Sequence, residues 1–422
     1  MSAGLEGRAA RTRIPPPPAD DGTEAGFRFV TVVIAHVSVF VAGTDLKVVN
    51  GATAGLILAI GLLPVWLPTL RRYRSARVIV ALCAIAIPSG LFLAEFSSAD
   101  HQIDASKRTG SILLLLSGLA AMVLILWARE HLSPNRVILL FGLGSLVDAL
   151  LFGSGSWKFD FAVPVTLVVL GILEHFRSHL IPAAAVFGLG VVGVLDEGRS
   201  LFGFCLIAAT LTVWQMRTAS GTGRTSRWFP AALLAGMGLS IYFMVSSLLT
   251  GGAFGAVLQQ RSEAQIDATG SLIAGGRPEW AATRELMQLN PAGFGLGVVP
   301  SWADLEAGRS GLASINIDAG GYVNNYMFGG EFNLHSITAD LWVNYGWVGL
   351  TLAAVIVAAL VRNMSFLIAS RRATTSIILT SVMALWFMFF GPIYSNWLDV
   401  CLALGVGLMA RTSAEPAAAE PR

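Results

Sequence analysis

Charged residues are scarce in this chain: Asp, Glu, Lys and Arg make up 13% of 422 residues, against about 25% in soluble globular domains. With 55% hydrophobic residues and a mean hydropathy of +0.68, that scarcity excludes an ordinary soluble protein. An excess of one charge sign is also lacking. The net charge is +2, and the basic residues fall in short clusters between apolar runs. No stretch interleaves lysines with aromatics, so nucleic acid is not expected as a partner. Cysteine is nearly absent: Cys83, Cys205 and Cys401 each sit inside an apolar run. Three such residues behave as small hydrophobes and build neither a disulfide framework nor a zinc site. The six histidines show no HExxH-like spacing, so neither a metal nor another cofactor is expected.

Long hydrophobic runs dominate instead. A bilayer-spanning helix needs about 20 apolar residues, so a dozen would occupy about 240 positions and leave room for one sizeable extramembrane segment. Residues 1–26, with RAARTR, PPPP and ADDGTEAG, read as a disordered cytoplasmic tail. The apolar run that follows has no small-residue cleavage site after it and reads as an uncleaved span. Spans are expected near 27–43, 52–70, 77–95, 109–127, 136–153, 161–175, 178–195, 199–216, 228–250, 336–361, 374–391 and 395–411. The expected architecture is all-α, a polytopic membrane helix bundle of about 12 transmembrane helices. Spans 1–9 lie within 27–250, a large structured extracytoplasmic loop covers 251–335, spans 10–12 lie within 336–411, and a cytoplasmic tail covers 412–422. An even count puts both termini on one side. Lys and Arg agree with a cytoplasmic N-terminus, since 19 of the 28 fall on the expected inner side and four of the other nine lie in the long loop.

The 251–335 segment is far longer than an ordinary connection. Trp280, Trp302, Tyr322, Tyr326, Phe328 and Phe332 are interleaved there with Gly and Asn, which suits a structured cap over the bundle. Within it, GGRPEWAATRELMQLNPAGFGLG predicts a helix from Pro278 to about residue 289, stopped by Asn290-Pro291 and Gly293. Trp280, Arg284 and Met287 share one face of that helix. The glycine run 293–297 either makes a turn or offers backbone amides to an anion through Gly295 and Gly297. Arg277 opposes the helix dipole and favours an anionic partner, either a phosphate held in bidentate fashion or the carboxylate of Glu279 or Asp267. Arg199, in LDEGRSLFGF, either snorkels to headgroups or faces inward to bind a lipid diphosphate. His335 stands where the loop re-enters the membrane, placed to take a proton from an acceptor hydroxyl, with Asp340 or Glu331 near enough in sequence to orient the ring. Asp148, Glu95 and Asp399 fall in the outer halves of their spans and, with Arg199 and His335, suggest a polar chamber opening outward. His36, near the middle of the first span, is the closest approach to a midplane titratable group of the kind a proton-coupled transporter uses.

In combination these strings resemble the O-antigen ligase and O-antigen polymerase family, polytopic bacterial membrane glycosyltransferases. The family's "GR, acidic or apolar, W" motif matches Arg277 and Trp280, and "NP, apolar, G, apolar, G" matches Asn290, Pro291, Gly295 and Gly297. A histidine followed by Asn or Ser, then "L, G, apolar, apolar, G", matches His335, Ser336, Gly346 and Gly349. The resemblance is specific over roughly 275–350. A family arginine preceded by serine departs here to Gly198-Arg199-Ser200, which tilts the reading from ligase toward polymerase or exopolysaccharide activity.

The resemblance implies a metal-independent transfer in surface polysaccharide assembly, at the outer face of the bacterial inner membrane. The donor would be a polyprenyl-diphosphate-linked glycan and the acceptor a glycan, lipid or protein hydroxyl. It implies His335 and Arg277 as catalytic, and Arg199, Arg277, Arg284, Trp280, Gly295 and Gly297 as binding diphosphate or glycan, in contact with membrane lipids. The reading from another class is a transporter or flippase for a lipid-linked or anionic solute, in which Arg199, Arg277 and His335 bind cargo.

Overall fold

The computed structural model describes residues 21–410 except 177, 197, 218–235, 237, 240, 241, 244, 245, 254, 271 and 318–320. The described chain is almost wholly helical. A first helix, α1 (Asp21–Gly43), leads to a small antiparallel pair, β1 (Lys47–Val49) and β2 (Ala52–Thr53). Then come α2 (Ala54–Gly61) and α3 (Leu63–Trp66), extended by a 3-10 turn at Thr69–Arg72, and α4 (Arg74–Ser97) and α5 (Ala105–Ala128). Next are α6 (Pro134–Phe152), a π turn at Trp157–Phe161, α7 (Ala162–Leu173), α8 (Leu180–Leu195) and α9 (Arg199–Arg217). The long segment contributes α10 (Ala256–Thr269), α11 (Leu272–Gly276), α12 (Glu279–Leu289), α13 (Trp302–Ala313) and a π turn at Tyr322–Met327. Three helices close the chain: α14 (Ile337–Ala369), α15 (Thr375–Phe390) and α16 (Ile393–Gly407).

Six of these helices are long and apolar enough to cross a membrane, or seven if the bent pair formed by α2 and the helix after it counts as one span. Their outward faces fit such surroundings: Phe92 and Phe96 on α4 are 72% and 78% exposed, as an apolar face needs only where it meets apolar solvent. Every expected span except the ninth falls on helix within a few residues, and the ninth, 228–250, lies mostly outside the described residues. Length does not carry the count of twelve. The second span bends by 68° after Gly61, where Pro64 opens a new helix, and α7, α8 and α16 have 12, 16 and 15 residues. Such helices reach only about 18–24 Å at 1.5 Å per residue, short of a hydrocarbon core of about 30 Å.

Cys83, Cys205 and Cys401 are buried free thiols within the packed helices. The main core joins α4, α5, α14 and α16 through Ile79, Leu115, Leu341, Tyr345 and Trp397. Buried polar tips find backbone partners: Tyr345 Oη donates to Ser111 O at 3.1 Å and Trp397 Nε1 to Leu115 O at 3.3 Å. A second core belongs to the long segment, where Leu286, Phe294, Leu312, Val323, Met327 and Phe332 pack against Trp342 and Val343 of α14. The segment is also pinned to the α4–α5 end by polar contacts. Ser97 Oγ donates to Phe294 O at 2.6 Å, Asp104 N–H to Gly297 O at 2.8 Å, and His101 Nε2 to the buried Asp304 carboxylate at 2.9 Å. At Gly346 α14 breaks, with φ 62 and ψ −141, and there the chain passes so close to Ala292 that a Cβ would sit 2.4 Å from its carbonyl oxygen.

Candidate functional site

A cavity of about 690 Å³ lies where helix ends converge. The C-terminal ends of α1, α6, α8 and α15 and the N-terminal ends of α7, α9 and α16 line it through residues such as Asp45, Asp148, Gly193, Phe390, Asp160, Ser200 and Asn396. Neighbouring helices run in opposite directions, so this is one end of an up-and-down bundle, the end on which the long segment sits. Into it the segment delivers Arg277, Tyr326 and His335.

Each arrives by identifiable local structure. Pro278 caps α12 and Glu279 occupies its first turn, so Arg277 stands just before the helix start. Its guanidinium forms no hydrogen bond or ion pair with another described residue, although the cavity places it beside Tyr326 and His335. Glu279 is buried, yet it takes a hydrogen bond from Tyr322 Oη and not from Arg277, and its Oε2 has no partner among the described residues. The pairing of Arg277 with Glu279 is therefore not formed, and Asp267 is exposed on α10. An unpaired guanidinium lining a cavity is the arrangement an anionic ligand requires.

His335 has φ 50, a left-handed backbone uncommon outside glycine. Three contacts enforce it. Asp340, fully buried on the first turn of α14, accepts from Leu334 N–H at 3.0 Å on one oxygen and from Ile393 N–H at 2.9 Å on the other. Ser336 caps α14, and its hydroxyl donates to Met388 O at 3.1 Å. The turn carrying His335 is thus clamped to α15 and α16. Asp340 orients the backbone and does not touch the ring, and Glu331 receives its hydrogen bond from Tyr394 Oη at 3.2 Å. The ring's partner is Tyr326, whose Oη lies 2.7 Å from His335 Nε2, with the two rings tilted by 32° and their centroids 4.7 Å apart. Tyr322 stacks behind Tyr326 at 5.0 Å.

Burial, with Arg277 adding to it, pushes the His335 imidazole below its ordinary pKa of 6.5, while the Glu279 charge and the nearby Asn333 backbone pull the other way. The ring is therefore neutral at pH 7. Burial, reinforced by Glu279, pushes the Tyr326 phenol up and keeps it protonated, as it does for Tyr322. The site presents a fixed cation, a neutral imidazole and a phenol in one polar cavity. Such a set can hold an anion and accept a proton.

The remaining sequence-based candidates divide. Trp280 braces the site from outside, donating through Nε1 to Phe389 O at 2.7 Å. Arg199 turns to the long segment, where its Nη1 reaches Ser262 Oγ at 3.1 Å and Gln265 Oε1 at 3.2 Å, while its neighbours Gly198 and Ser200 line the cavity. Arg284 is exposed and outside the lining.

Gly295 and Gly297 are not among the residues lining the cavity, and the Gly295 amide is engaged within the protein. The amides of Phe294 and Gly295 both donate to Val343 O and that of Leu296 to Gly90 O. Both glycines have positive φ and press against the α4–α5 end, where a Cβ on Gly295 would meet Ala94 N at 2.2 Å. The run exists to let backbone meet backbone. Asp148 and Asp399 line the cavity, whereas Glu95 is exposed outside it. His36 Nδ1 lies 2.7 Å from Val32 O, an ordinary contact within its own helix.

Sequence reasoning passed over Tyr326 as one cap aromatic among several. It also passed over Lys158 and Asp160, brought to the cavity by the π turn before α7. No spacing rule links Tyr326 to His335, since the eight intervening positions form an irregular turn. Comparison with family models, with curated proteins and with solved structures finds no match for this chain.

Proposed function

We propose that the protein is a membrane glycosyltransferase of the O-antigen ligase and polymerase type. It moves a glycan from a polyprenyl-diphosphate donor to an acceptor hydroxyl in surface polysaccharide assembly. On this reading the chain crosses the bacterial inner membrane twelve times, with both termini in the cytoplasm and the 251–335 segment on the outer face. The observation that carries this reading is the meeting of Arg277 and His335, far apart in sequence, in one cavity beneath that segment.

Chemically, the leaving diphosphate gains negative charge as the glycosidic bond breaks. A guanidinium already in the cavity stabilises that charge more in the transition state than in the ground state. A neutral imidazole nearby takes the acceptor's proton. If the acceptor attacks opposite the diphosphate, the anomeric configuration inverts. The apolar helices around the cavity hold the polyprenyl tail.

The test is product formation by purified protein in nanodiscs with a polyprenyl-diphosphate oligosaccharide as sole donor and glycan, lipid or protein acceptors. The wild type transfers, giving longer polyprenyl-linked glycans if it is a polymerase. His335→Ala and Arg277→Ala lose transfer while remaining folded. Donor movement across a sealed bilayer that survives His335→Ala, with no transfer to any acceptor, would replace this reading by transport.

A further inference from the structure

The geometry points to Tyr326, rather than His335 itself, as the group that meets the acceptor hydroxyl, with His335 receiving the proton through it. This inference rests on the transferase reading and deepens it.

His335 lines the cavity, but access to its ring nitrogens is restricted. The residue is 6% exposed, its Nδ1 is buried without a partner among the described residues, and its Nε2 is covered by the Tyr326 hydroxyl at 2.7 Å. Tyr326 is 52% exposed and lines the same cavity as Arg277. Tyr326 is therefore the more exposed member of a hydrogen-bonded pair whose buried member is the base. When the phenol O–H donates to Nε2, its oxygen keeps lone pairs with which to receive a hydroxyl from the cavity.

The transfer step then balances. The acceptor O–H bond breaks and its proton goes to Tyr326 Oη, while the proton already on Tyr326 forms the new Nε2–H bond on His335. The acceptor oxygen's electron pair bonds the anomeric carbon. The bond from that carbon to the diphosphate oxygen breaks, and its electron pair leaves with the diphosphate toward Arg277. The products are the glycoside, the lipid diphosphate, an unchanged phenol and a His335 imidazolium, which returns its proton to water along the same path.

Two charges around the pair favour this sequence. The Glu279 carboxylate, held by Tyr322 and with one buried oxygen unpartnered, attracts a proton to His335. Arg277 opposes that proton. A diphosphate on Arg277 removes the opposition, so His335 becomes a better base only once the donor is bound.

Direct proton abstraction by His335 requires Tyr326 to swing aside and predicts the opposite result for removal of its hydroxyl. Tyr326→Phe keeps the ring stacked on His335 and uncovers Nε2. The experiment is steady-state transfer by the full-length protein with wild type, Tyr326→Phe, His335→Ala and the double variant. With a proton relay, Tyr326→Phe lowers kcat by about 10²–10⁴-fold, the usual contribution of general acid–base catalysis. Its donor KM stays within threefold, and the double variant is no slower than His335→Ala alone, as expected of residues acting as one unit. If the wild type transfers and Tyr326→Phe retains kcat within threefold, the relay is overturned while the transferase reading stands. If the wild type transfers to no acceptor, both fall together.

Discussion

Asp340→Ala tests the clamp that shapes the site without depending on any substrate. The Asp340 carboxylate is fully buried and accepts from Leu334 N–H and Ile393 N–H, one oxygen each. Alanine leaves both donors buried without a partner. At about 1–3 kcal/mol for each unsatisfied buried group, the substitution costs about 2–6 kcal/mol. Asp340→Asn keeps the shape and one acceptor oxygen but turns an amide N–H toward the second donor, so it costs about half as much, near 1–3 kcal/mol. The assay is reversible unfolding of the purified protein in mixed micelles with increasing SDS, read as a free energy for the three proteins. The order wild type, Asn, Ala is expected, with His335 losing its left-handed backbone in both variants. Two variants within 0.5 kcal/mol of wild type would refute the clamp.

Gly346→Ala is expected to prevent stable folding, because φ 62 with ψ −141 is closed to alanine and the added Cβ would meet Ala292 O at 2.4 Å; normal yield with an unchanged unfolding midpoint would contradict this. The pH profile of kcat/KM should have its acid limb below 6.5. Burial holds the folded imidazole below that value, so the neutral base persists through pH 6.5 and is lost only as pH falls through the lower folded pKa; a midpoint above 6.5 would show that His335 is not the titrating base. Arg277→Ala should lower kcat by about 10²–10³-fold, the scale of losing one preorganised charge-stabilising donor, whereas Arg284→Ala, at an exposed position outside the cavity, should stay within threefold of wild type.

Periodicity and apolarity made the helices legible, because burial against neighbours or lipid leaves its pattern in consecutive residues. The helix after Pro278 and its stop at Asn290 follow from local capping chemistry and appear where that chemistry places them. Arg277 and His335 were legible as candidates because each carries a charge or a titratable ring at a position where solvation alone gives it no reason to be. Gly295 and Gly297 were ambiguous because a positive φ serves close packing as readily as anion binding, and only the partners of the amides tell the two apart. Arg199 was ambiguous for a related reason: its partners, Ser262 and Gln265, come from a helix more than sixty positions away. Tyr326 was invisible, since its importance rests on one distance across an irregular turn. The role of Asp340 as a backbone clamp likewise depends on Ile393, which belongs to another helix.

The most direct test of the account is a cryo-EM structure of the protein in nanodiscs with a bound polyprenyl-diphosphate oligosaccharide. The account predicts the diphosphate against Arg277, the first sugar in the cavity between Tyr326 and the helix ends bearing Asp148 and Asp399, and the lipid tail along the apolar outer faces. A diphosphate bound elsewhere, with the Arg277 cavity empty, would contradict it.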